Sequence, residues 1–182
     1  MRTALAIIFI FVFANSYGQN SKRDNEIYEI EKNQDSIPRS VFLDSTLLPN
    51  MTVVINNTRQ VWSSNSKNDK HIMQLYDIRM RFKDHKAALA FHKKYLRENS
   101  EFGEEIFDHS INSTGADEFR VFRGTAALNA LSAQMGYQMF CFLFVVDNYF
   151  VKIFISCNKT YKPEKFQDII TEAIKRIKNS GS

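Results

Sequence analysis

The sequence predicts an α+β domain: a mostly antiparallel sheet, built around a long aromatic hairpin at about 137–157, with helices packed against it. Three features carry that expectation. Two apolar runs flank the dipeptide Asp147-Asn148, which reads as a hairpin and its turn. Leu75 to Lys83 alternates apolar and charged residues, the period of a half-buried strand. Two segments, about 84–98 and 163–178, repeat apolar residues at the spacing of one helical face.

The chain begins with a stretch of different character. Arg2 precedes the unbroken apolar run Ala4 to Ala14, and Ser16-Tyr17-Gly18 places small residues before Gln19. That order is the pattern of a cleavable secretory signal over 1–18. The run is too short for a membrane span, which needs roughly 20 apolar residues. A buried N-terminal helix is the competing reading; the lack of a polar stripe and the polar residues that follow count against it. The brevity of the run and the small residues before Gln19 resemble the signals of Gram-negative bacterial secreted proteins. Since no cysteine follows the run, no lipid attachment point is expected, and the mature chain should have no membrane span. It is expected in the periplasm or outside the cell.

Residues 19–40 are polar and charged, without apolar periodicity, and read as a flexible polar leader. The single α+β domain is then expected over 41–182. Its length is enough for a real core without disulfides or metals. A formal charge of +4 is too small to name nucleic acid as a partner.

Within the domain, Thr52–Ile55 reads as a short strand and 63–70 as a polar loop. In the strand from Leu75 to Lys83, Tyr76, Ile78, Met80 and Phe82 should face the core and Asp77, Arg79, Arg81 and Lys83 the solvent. Asp84 then caps a helix whose stripe is Ala88, Phe91, Tyr95 and Leu96. Residues 99–117 read as irregular, with Ile106, Phe107 and Ile111 as strand contacts. Glu118–Arg123 reads as a strand and Thr125–Met135 as a short helix ended by Gly136.

Centring the hairpin turn on Asp147-Asn148 opposes Val146 to Tyr149, Phe144 to Val151, Phe142 to Ile153 and Phe140 to Ile155. All are apolar, so this face should be buried, and a slip of one residue would scramble it. The other face mixes Cys141 and Leu143 with Lys152 and Ser156, so partial cover is expected there. Pro163 opens the last helix, where its missing N–H costs nothing. Phe166, Ile169, Ile170, Ala173, Ile174 and Ile177 give that helix an apolar face, expected to lie across the buried face of the hairpin.

The order strand, helix, strands, aromatic hairpin, C-terminal helix over roughly 50–178 resembles the PsbP-like α+β sandwich. The resemblance is one of element order, so it implies a fold and carries no functional residues.

The candidate chemistry is sparse. Arg79, Arg81 and Lys83 on one strand face, with Lys86 close by, would form a cationic row at spacings of about 7 Å. Such a row could bind an anionic envelope ligand or an acidic partner protein; charged side chains that keep a strand face soluble are the competing explanation. Cys141 and Cys157 fall on opposite sheet faces in the expected register, too far apart for a disulfide, and read as buried inert thiols. Asp108-His109-Ser110 contains triad residue types, but consecutive side chains diverge. His71, His85 and His92 read, like His109, as solvated or capping. No phosphate-binding, dinucleotide or zinc-protease motif is present, and no metal or cofactor is implied. The tripeptides at 35–37 and 44–46 match an acidic-serine O-glycosylation pattern, and Asn50, Asn56, Asn112 and Asn158 begin N-x-Thr matches.

The favoured expectation is an exported, non-catalytic binding or interaction module, inhibitor and immunity-type roles included. The alternative is a small secreted hydrolase in which His109 and Asp108 are the pair to test.

Overall fold

In the computed structural model, seven strands form one antiparallel sheet in the order β1-β2-β3-β7-β6-β5-β4. The structure describes residues 37–56, 58–64, 72–98, 102–107, 109–124 and 137–180. The strands are β1 (Met51–Asn56), β2 (Arg59–Ser64), β3 (Ile72–Arg81), β4 (Phe102–Glu105), β5 (Asp117–Gly124), β6 (Tyr137–Val146) and β7 (Tyr149–Asn158). Helix α1 (His85–Glu98) joins β3 to β4, and α2 (Gln167–Ser180) follows a 3₁₀ turn at Pro163–Phe166. The α+β architecture is the one the sequence predicts. Among the described residues, no helix is long and apolar enough to cross a membrane.

The hairpin β6–β7 lies at the centre of the sheet, with the expected register: Val146 opposes Tyr149, Phe144 Val151, Phe142 Ile153 and Phe140 Ile155. Strand β3 pairs with β7, and Leu75 lies opposite Ile155. This face packs against α2, whose Ile169, Ile170, Ala173, Ile174 and Ile177 are buried with Phe166 in one core. Helix α1 covers the other face. Phe91, His92 and Tyr95 surround the Phe150 ring at centroid distances of 5.0, 5.9 and 5.1 Å. Its start is set by Asp84, whose carboxylate accepts from the Ala87 amide at 2.7 Å, as an N-cap does.

Several local expectations change. The 41–61 region contains β1 and the first half of β2, the second strand continuing to Ser64 into the stretch read as loop. Phe102–Glu105 is a short strand within the segment read as irregular, and Phe107 is exposed rather than a strand contact. The ordered domain reaches back past 41: Ile37 is buried and Arg39–Val41 forms a 3₁₀ turn. The helix expected over Thr125–Met135 and the signal segment lie outside the described residues. The mixed hairpin face is covered more fully than expected, with Cys141, Leu143, Val145 and Phe150 buried.

Three of the tripeptides that match glycosylation patterns have a local structural role. Asp44, Asn112 and Asn158 each accept, through Oδ1, the backbone amide and hydroxyl of the threonine two residues on. These are Asx turns, in which a short polar side chain satisfies the amide of a tight bend.

Candidate functional site

The cationic row is broken at its first member. Arg79 is 0% exposed: its face of β3, read as wet, is covered by α2 and the segment 37–43. Its guanidinium donates to both carboxylate oxygens of Asp77, at 2.9 and 2.8 Å. It also donates to the Val41 carbonyl and, at 3.5 Å, to that of Ala173. Asp77 in turn accepts from the Leu43 amide at 3.4 Å, and Gln60 donates to the Leu43 carbonyl at 2.9 Å. The ring of Phe42 lies 5.5 Å from the guanidinium carbon. Arg79 is therefore a buried staple between sheet, N-terminal segment and α2, and cannot meet a ligand from solvent. A buried charge survives only when paired and hydrogen-bonded, and this one is both.

Arg81, Lys83 and Lys86 are exposed where β3 passes into α1. That corner is fixed. The Phe82 amide donates to the Asn148 carbonyl at 2.8 Å, and the Asn148 side chain donates to the Phe82 carbonyl at 2.7 Å. His85 Nδ1 lies 2.6 Å from the Asp147 carbonyl. The end of β3, the start of α1 and the β6–β7 turn thus hold one another, and three of the four predicted cations, all exposed, lie along this stretch of chain. Asp84, Asp147 and Asp117 are exposed on the same end, and Asp117 lies 3.7 Å from His85.

A second cluster lies beneath α1. Register places Ile78, Lys152, Leu143 and Arg120 in one cross-strand row. Lys152 is buried and donates to the Tyr95 hydroxyl at 2.9 Å. His92 is 0% exposed, and neither ring nitrogen has a hydrogen-bond partner among the described residues. Burial holds its imidazole well below the ordinary value, at about 4, because desolvation penalises the charged ring. At the edge of the cluster, β5 slips register between Asp117 and Arg120, and Glu118 takes a positive φ of 52°, a conformation that costs a non-glycine residue energy. Glu118 pairs with Lys93 at 3.4 Å and with Arg120 at 3.7 Å, while Arg120 also reaches Glu105 at 3.2 Å. His92 is thus neither solvated nor capping. The spacing Ala88, His92, Tyr95 could have revealed it as part of the buried stripe.

The remaining candidates stay apart. His109 is half-buried against Phe119, at a ring distance of 5.7 Å; Asp108 and His71 lie outside the described residues. Cys141 and Cys157 are both free and buried. They face opposite sides of the sheet, Cys157 in the α2 core and Cys141 opposite Phe154. Burial pushes the Cys157 thiol up to about 12, which leaves almost no thiolate at neutral pH. On the surface of α2, Arg176 bridges Glu172 at 2.7 Å and Asp44 at 2.6 Å. Asp44 is held at about 2, first by the Thr46 amide and hydroxyl and then by Arg176.

Neither the protein-family models nor the curated proteins contain a match to this chain.

Proposed function

We propose that this chain is an exported, non-catalytic interaction module whose partner is an acidic protein surface. Export rests on the N-terminal sequence, with Arg2, the apolar run 4–14 and the small residues before Gln19. The single observation that carries the binding reading is the corner at the end of β3. Arg81, Lys83 and Lys86 are exposed there, on backbone tied to the Asp147-Asn148 turn by three contacts of 2.6–2.8 Å. Charges on a fixed frame lose little further freedom on binding, and opposite charge on the partner speeds encounter and sets orientation.

The test is a pull-down from envelope and culture extract with the protein and its Arg81→Ala/Lys83→Ala/Lys86→Ala variant, read by mass spectrometry and then by titration. The reading expects an acidic partner whose affinity falls about tenfold or more in the triple variant, from a few tenths to 1 kcal/mol for each exposed ion pair. It also expects weaker binding in higher salt. A partner held equally by both proteins would overturn the corner as its site. Recovery of no partner would overturn the module reading and turn attention to hydrolase assays controlled by His109→Ala.

A further inference from the structure

Among the described residues, the two faces of the sheet are covered by different elements. On the α2 side, five buried helix residues, Phe166 and the segment 37–43 close over the aromatic hairpin, and the Asp77–Arg79 pair ties them together. On the α1 side the helix buries Ala88, His92 and Tyr95, with Phe91 half-buried beside them. One of those three is an imidazole whose nitrogens have no partner among the described residues. Such a ring packs as an aromatic only while it is neutral; once protonated, it has two N–H donors and a charge with no acceptor among the described residues.

Among the described residues, the charged and titratable groups on this side of the sheet do not offer one. Lys152 on β7 and Arg120 on β5 are themselves cations, and Lys93 is the neighbour of His92 on the helix. Tyr95 already accepts from Lys152, and Cys141 on β6 is a buried thiol. Glu118 is the one carboxylate whose charge favours the imidazolium, and it is shared between Lys93 and Arg120, with Arg120 also held by Glu105. The start of the helix, in contrast, is anchored by the Asp84 cap and by the contact of His85 with the Asp147 carbonyl.

We propose that α1 is an acid-released cover: proton uptake by His92 frees the helix from its face of the sheet, about a hinge at Asp84–His85, while the α2 layer stays folded. The face uncovered would present Phe150, Leu143 and Lys152, an apolar surface with a cation in it. An exported protein meets the pH of its surroundings directly, so the device would respond to conditions outside the cytoplasm. Local opening of one layer without global unfolding is ordinary behaviour for the less buried part of a domain.

Hydrogen exchange followed by mass spectrometry, corrected for the intrinsic pH dependence of exchange, reads the device on the intact protein. The opening equilibrium of peptides covering 85–98 should rise roughly 20-fold between pH 7 and pH 5, the linkage expected for a ring that titrates near 6.5 when open and far lower when closed. Peptides covering 169–177 should keep their protection, and the fluorescence of Trp62, buried on the α2 side, should not change. In His92→Phe that rise should vanish, whereas His85→Gln should retain it. A flat profile over 85–98 in the wild-type protein would overturn the proposal, and so would an equal loss of protection in both layers. The wild-type profile decides the matter even if His92→Phe does not fold.

Discussion

Two side chains show how far the environment of a residue outweighs its type. Arg79 looks like a surface cation in the alternation from Tyr76 to Lys83, yet it is wholly buried against Asp77. Removing one partner of such a pair leaves an uncompensated buried charge. Arg79→Ala should therefore cost about 3–5 kcal/mol of stability, measured by urea unfolding. The double variant Asp77→Leu/Arg79→Met should cost less than either single change, because it leaves no lone charge. His92 predicts a pH dependence whose sign follows from its suppressed basicity. With the folded ring at about 4 and an unperturbed value of 6.5, the unfolded chain binds more protons between those limits. Stability is complete above pH 6.5 and falls as pH drops toward 4, by about 3 kcal/mol in all. Unfolding curves at pH 7.5 and 4.5 should show that loss, and His92→Phe should flatten it.

Among the elements, those with a repeating pattern were legible and those covered by a second layer were not. The hairpin register could be derived because centring the turn on Asp147-Asn148 opposes apolar residues on one face from Phe140 to Val146, and it is the register found. The start of α1 at Asp84, and at Pro163 of the 3₁₀ turn that leads into the last helix, followed from capping chemistry. The site was harder to read. Alternation in β3 says that Asp77 and Arg79 share a face, but not that residues 37–43 and α2 lie on it. Likewise His92 sits one turn from Ala88, and a histidine there gives no sign that its nitrogens go unmet. The turn carries a prediction of its own. Asp147 has a φ of 51°, where a side chain with a Cβ is strained. Asp147→Gly should leave stability unchanged or slightly higher. Asp147→Val should lose about 1–2 kcal/mol, read as a lower midpoint in urea with an unchanged slope.

At the largest scale, the described residues form a sheet between two unlike layers, one closed by residues 37–43 with α2 and one by α1. The closed layer depends on parts far apart in the chain: the Arg79 guanidinium reaches carbonyls of both Val41 and Ala173, and Arg176 holds Asp44. A chain truncated after residue 162 should consequently fail to fold cooperatively, rather than fold with one helix missing. Limited proteolysis would check this: a protected sheet core in the truncated chain would contradict it. A ribosome releases a chain from its first residue to its last. Until residue 173 has emerged, Arg79 lacks one of its carbonyls and Phe140, Phe142 and Phe144 lack their roof. Helix α2 follows in the chain everything it covers, and it locks what was made before it. A polypeptide built this way leaves its aromatic hairpin open to chaperones until α2 has been made, and the α2 layer shuts only then.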